Sequence, residues 1–342
     1  MAVDLAAAVE RADLDELLGV VNSLCLDADW DGVEQLAARC RAAFERGRQL
    51  WPIAAHADYR LALEAPPRWA AATVEPGRGR FSPGPLTEVV ASTHTWAELA
   101  PHLPTGPLRA VVAQERVVRG EDLSSAADLG VPAEVPLALA RWEPAYLLAS
   151  YHPDRAEFPA PDLAPQGEAV EAGREPSAPG AGDEADVAAL LELAGAWTAE
   201  SAGRARAVAV EADAAGAAAA LDVDVVRLLP VSARAAVAQM AWAGASGGAH
   251  GRRRGMAAGR FSAWWALAAL AGLGEEWPPP ADELGEALEQ MRFFTFEDRA
   301  SPVTGWRLAL AVDEPEAGLA WAVWAVDAGE AAYEAGPSTR SV

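Results

Sequence analysis

Residues 306–326 read WRLALAVDEPEAGLAWAVWAV, and this stretch decides whether the C-terminal half carries a sheet. Trp306, Leu308, Leu310 and Val312 alternate with smaller or polar residues, the period of a strand with one buried face. Residues 313–318, DEPEAG, supply turn chemistry before a second apolar run at 319–326, which predicts a β-hairpin. Residues 293–297 and 204–210 (RARAVAV) read as further strands. The alanine content keeps helix open as an alternative over 306–326. The hairpin reading predicts an α+β C-terminal domain with a small antiparallel sheet.

Upstream the pattern changes to helix. Asp13 with Glu16, Asp31 with Glu34 and Thr95 with Glu98 have the spacing of capping boxes, in which the first side chain accepts a backbone N–H and the acid reaches back. Val33, Leu36, Ala37, Cys40, Ala43 and Phe44 recur on one helical face, and Gly47 follows as a C-terminal stop. Residues 53–65 predict another helix ending before Pro66-Pro67. A hydrophobic fraction of 51% with only 7% aromatic residues is mostly Ala, Val and Leu, so helix is the default. The expected fold is mainly α, with an N-terminal domain that is an irregular helical bundle or a HEAT-like array, although no repeat period is visible.

The 342 residues suit two domains better than one core. Residues 137–158 hold Trp, Tyr and two prolines without helical period and read as extended chain. Residues 159–186 combine Pro, Gly, Ala and acids with few large apolar side chains, which predicts a flexible acidic linker. The expected organisation is therefore a helical domain over 1–158, a linker over 159–186, and an α+β domain over 187–342 with a disordered tail from about 330. Within the last domain, 187–201 and 232–243 predict helices. A more apolar helix follows at 261–273, too short for the ~20 residues that span a bilayer.

Composition excludes several chemistries. All 27 basic residues are Arg, so lysine-based Schiff bases, pyridoxal phosphate and the P-loop lysine are out of reach. A formal charge of −23 disfavours nonspecific contact with nucleic acid or anionic membrane, and neither is expected as a partner. Cys25 and Cys40 lack CxxC spacing or clustered histidines and read as buried, reduced thiols. The N-terminus carries Asp4 and Glu10 without a basic region before its short apolar run, so no signal peptide is read and a cytoplasmic protein is expected.

The most distinctive stretch is 244–260, GASGGAHGRRRGMAAGR. Glycines ahead of a helix free backbone N–H groups, the helix start adds partial positive charge, and guanidinium forks add fixed donors. Gly251, Arg252, Arg253, Arg254, Gly255 and Arg260 therefore form a candidate anion site. The bland alternative is a close-packed turn whose arginines pair with the acidic surface. Residues 244–248 also fit G-x-S-x-G, but the helical character before Ser246 and the position of His250 four residues on argue against a nucleophile elbow. Residues 252–257 fit R-x-x-G-x-A, which is similar to the acetyltransferase loop that holds the coenzyme A pyrophosphate; that resemblance requires a preceding strand. No two of the five histidines have the i,i+4 spacing of a helical metal pair, and no catalytic or metal residue is assigned. Residues 75–86, EPGRGRFSPGPL, present Arg78 and Arg80 as a lesser anion candidate or a solvated turn.

The stretches at 45–66 (ERGRQLWPIAAHADYRLALEAP) and 247–273 (GGAHGRRRGMAAGRFSAWWALAALAGL) resemble uncharacterised proteins of high-GC bacteria, a likeness that implies no activity. The expectation is a cytoplasmic binding or scaffold protein without catalysis of its own, serving an unknown protein partner or small anionic ligand. The alternative is a nucleotide-, coenzyme A- or phosphate-binding protein or transferase using 244–260, and no cofactor is assigned.

Overall fold

The protein, seen in a computed structural model, is described over residues 4–125, 128–171, 184–275, 277–299, 301–302 and 304–328. It divides into two compact units, Met1–Pro132 with Ala149–Phe158, and Ala133–Leu148 with Pro159–Val342. The chain leaves the first unit, contributes sixteen residues to the second, returns for a hairpin, and leaves again.

The first unit contains α1 (Leu5–Arg11), α2 (Leu14–Leu26), α3 (Trp30–Glu45), α4 (Trp51–Glu64), α5 (Pro67–Ala72), α6 (Leu86–Thr93), α7 (Trp96–Leu99) and α8 (Pro107–Val117), with the hairpin β1 (Ser150–Tyr151) and β2 (Ala156–Glu157). Asp13 caps α2 by accepting the Glu16 N–H at 3.1 Å. The α3 helix starts earlier than the Asp31–Glu34 spacing suggests, because Asp29 accepts the Gly32 N–H at 3.0 Å. Gly32 permits this turn: a Cβ there would lie 2.6 Å from Asp29 Oδ2. At the other end Gly47 takes φ +87°, and the Arg48 N–H returns to Ala43 O at 3.0 Å, closing α3 as expected. Leu17, Val21, Val33, Leu36, Cys40, Ile53 and Leu61 belong to the core these helices share.

The second unit is built on one sheet. Its strands are β3 (Val170–Glu171), β4 (Arg204–Val210), β5 (Val225–Val231), β6 (Arg292–Asp298), β7 (Trp306–Glu314) and β8 (Leu319–Asp327). Their order is β3-β5-β6-β7-β8-β4, antiparallel throughout. The helices are α9 (Glu184–Glu192), α10 (Gly195–Glu200), α11 (Ala214–Ala220), α12 (Ala233–Ala245), α13 (Met256–Leu270) and α14 (Ala281–Gln290). On one face α11, whose sequence is AAGAAAA, packs against Ala309, Ala311, Ala320 and Ala322 together with Phe296 and Trp324. Leu308, Leu310, Val312 and Val323 alternate onto the opposite side, where Trp321 donates to Asp186 of α9 at 3.0 Å. The alternation of large and small residues thus reports two covered faces, alanine marking the one that a small-residue helix approaches closely.

The described residues form a mixed α+β protein with fourteen helices, a six-stranded sheet and a two-stranded one. Part of the expected linker carries regular structure: β3 pairs with β5, and the Gln166 N–H donates to Pro230 O at 2.6 Å. Residues 172–183 of that linker and the tail expected from about 330 lie outside the described residues. No helix among the described residues is long and apolar enough to cross a membrane.

Candidate functional site

Residues 246–255 connect α12 to α13. Several of their backbone donors meet acceptors of the protein itself. The Ala249 N–H donates to Asp327 Oδ2 at 2.6 Å, the His250 N–H to Ser201 Oγ at 3.0 Å, and the Arg252 N–H to Glu200 Oε2 at 3.3 Å. The Arg254 N–H closes onto Ala245 O at 2.8 Å. Glycine is required for this closure: a Cβ at Gly247 would lie 2.3 Å from Arg252 O, and one at Gly251 2.2 Å from Gly247 O. Gly255, at φ +96°, sits at the start of α13 with no side-chain cap. Arg254 lies 4.0 Å from Glu192, and Arg252 and Arg253 are engaged within the protein.

Ser246 follows a helix, α12, and its hydroxyl accepts the indole N–H of Trp197 at 2.8 Å. The strand that a nucleophile elbow or an acetyltransferase phosphate loop needs is therefore replaced by α12.

Arg260 is separated from the loop arginines. One turn into α13 its side chain is wholly buried, with Nε and Nη2 each 2.7 Å from a different oxygen of Glu143. Nη1 donates to Pro136 O at 2.7 Å and Nη2 also to Ala138 O at 3.0 Å. Glu143 further accepts the Tyr146 hydroxyl at 2.5 Å and the Ala140 N–H at 2.8 Å. Burial pushes the Glu143 carboxyl up, but Arg260, Tyr146 and the Ala140 amide together hold it below the usual carboxylate range. Burial beside that carboxylate raises the Tyr146 hydroxyl well above its ordinary value. A guanidinium held in this network fixes residues 136–146 against α13 and, being wholly buried, is closed off from a surface ligand.

The residues next to that network line an open cleft of about 640 Å³. One wall carries Arg141 and Arg234, the latter at the start of α12 with its Nη2 donating to Arg141 O. The other wall is α14, which presents Asp282, Glu286 and Glu289 at the i, i+4, i+7 spacing of one helix face. Trp142 lies between the walls, its indole N–H donating to Ala281 O at 2.8 Å and its ring 4.9 Å from that of Trp264. Gly285 makes the approach possible, since a Cβ there would lie 2.7 Å from Trp142 Cδ1. No ion pair crosses this cleft among the described residues. Sequence reasoning missed the cleft because α14 resembles any solvated acidic face and Arg141-Trp142 lies in extended chain.

Other candidates have structural roles. Cys25 and Cys40 are buried free thiols, pushed up by burial to about 11. Arg78 pairs with Glu75 at 2.8 Å and lies 3.6 Å from Asp58. Among the described residues no group of three or more His, Cys, Asp or Glu is placed to hold a metal.

The fold and the cleft define a mixed α+β protein that displays both signs of charge, unpaired with each other, around one aromatic ring. The chain belongs to the family of unknown function DUF6183, which matches residues 15–329 and so spans both units. No curated protein matches the chain, and no solved structure does.

Proposed function

We propose that this protein is a cytoplasmic binding protein without catalysis of its own, and that its ligand occupies the cleft between Arg141-Trp142, the start of α12 and α14. The carrying observation is that Arg141 and the α14 acids share one cleft without neutralising each other. The volume falls in the range of small-molecule sites. The buried Glu143–Arg260 network supports the reading by holding Arg141 and Trp142 on a rigid base. A ligand that binds only the folded protein raises its unfolding temperature. A thermal-shift screen of charged and polar small molecules should yield stabilisers whose effect disappears in Arg141→Ala and Glu286→Ala. Stabilisers that act equally on both variants, or a screen with none, would overturn the assignment.

A second reading keeps the anion site at Gly251, Arg252, Arg253, Arg254 and Gly255, with a nucleotide, coenzyme A or phosphate as ligand. The start of α13, whose N-cap Gly255 offers no side-chain cap, lies behind two exposed arginines and favours it. The occupied backbone amides of Ala249, His250 and Arg252 weigh against it. In this reading, phosphate compounds stabilise the parent protein and not the Arg253→Gln, Arg254→Gln variant.

A further inference from the structure

We infer that the ligand of the cleft is a small zwitterion of the amino-acid or short-peptide class, its carboxylate held by Arg141 and Arg234 and its amine by Glu286, Glu289 and Asp282. The inference rests on the cleft reading and adds the chemistry of the occupant.

Three observations carry it. The two walls have opposite charge, and the pair that would close the cleft onto itself is absent among the described residues. Trp142 anchors the Arg141 segment to α14 through its bond to Ala281 O and its seat against Gly285, so both charged walls belong to one fixed cleft. Arg141 also has no acidic partner elsewhere among those residues, and Asp282, Glu286 and Glu289 have no basic one. A ligand with one charge of each sign satisfies both walls at once, whereas a simple anion or cation leaves one wall facing a like charge.

The charge of the whole molecule sharpens the choice. At −23, the protein's field repels anions on approach and draws cations to its surface at large. A ligand with no net charge escapes that field and feels only the local, opposed walls. The first turn of α12, where Ser232 accepts the Ala235 N–H at 3.2 Å, adds partial positive charge on the arginine side. The Trp142 ring between the walls supplies an apolar surface for the body of the ligand, and an aromatic face also attracts an ammonium group.

Ligand-observed NMR on the intact chain tests this with the standard free amino acids, aromatic dipeptides, and the same dipeptides acetylated at the amine or amidated at the carboxylate. Free dipeptides should bind, and capping either end should weaken binding by about tenfold or more, the loss expected when a charge-assisted contact is removed. Arg141→Gln should abolish the difference between free and amidated forms. Glu286→Gln with Glu289→Gln should abolish the difference between free and acetylated forms. Both substitutions lie on exposed side chains, so the fold survives them. Capped dipeptides binding as tightly as free ones overturn the zwitterion; if Arg141→Gln still weakens them, the cleft itself stands. Failure of every zwitterion to bind also overturns the inference, while the wider thermal-shift screen judges the cleft separately.

Discussion

Arg260 and Glu143 are both fully buried, and each satisfies the other's charge with two hydrogen bonds. Breaking one member of such a pair is costly because the survivor keeps its desolvation without its partner. Arg260→Gln should therefore lose about 3–5 kcal/mol in urea unfolding. An unchanged midpoint would show that water reaches Glu143. The pair also predicts a pH dependence. Folding holds Glu143 below its ordinary value of ~4.3, so its stabilisation is complete above that pH and is lost as pH falls through the lowered folded value. In Arg260→Gln, burial acts without the arginine and raises the same carboxyl, so acid relieves the variant while it harms the parent. The stability gap between the two should narrow as pH drops from neutral towards ~4. A gap that stays constant would place the charge of Glu143 outside the interaction.

At the level of elements, two helical glycines make opposite predictions from one argument. Gly259 of α13 faces α12 so closely that a Cβ would lie 2.0 Å from Ala241 O, whereas Gly19 of α2 is exposed with nothing within 4 Å. Gly259→Ala should destabilise by about 1–3 kcal/mol through overpacking. Gly19→Ala should stabilise by about 1 kcal/mol through helix propensity. Thermal unfolding of both variants checks the pair, and equal signs would refute the packing account. The same contrast explains what the sequence made legible. The β7–β8 hairpin was readable because Leu308, Leu310 and Val312 alternate with alanine on a rigid two-residue period. The ends of α2, α3 and α4 were readable from Asp13, Gly47 and Pro66, which act through local geometry. Strand β5 was hidden, because Pro230 argues against an interior strand. Pro230 is tolerated since its carbonyl points to Gln166, away from β6, so the missing N–H falls where β3 makes no ladder bond. The candidate site was legible only as residue types. Nothing local in the run of arginines and glycines distinguishes an open nest from one already filled by Asp327 and Glu200, and Arg260 carries no mark of a partner 117 positions away.

For the whole molecule, the decisive feature is that Ala133–Leu148 is sequence-contiguous with one unit and packed in the other. A composition-based boundary at 158/159 separates Glu143 from Arg260 and Trp142 from Trp264. A fragment covering 159–342 would retain the sheet and its helices but bury a guanidinium without its carboxylate, at a cost of about 3–5 kcal/mol. It would also uncover Trp264, whose ring is fully buried in the intact chain and lies against Trp142. Domain stabilities are only about 5–15 kcal/mol, so these losses together approach the whole margin. A fragment covering 133–342 restores both contacts at the expense of carrying the short β1–β2 hairpin outside its own unit. Near-UV circular dichroism and urea titration should show cooperative unfolding for 133–342, and for 159–342 either no cooperative transition or one at much lower denaturant. Equal midpoints would mean that residues 133–148 ride on the second unit without holding it together. The cleft depends on the same segment, so a ligand found for the intact chain should bind 133–342 and be lost from 159–342, which lacks Arg141 and Trp142 altogether.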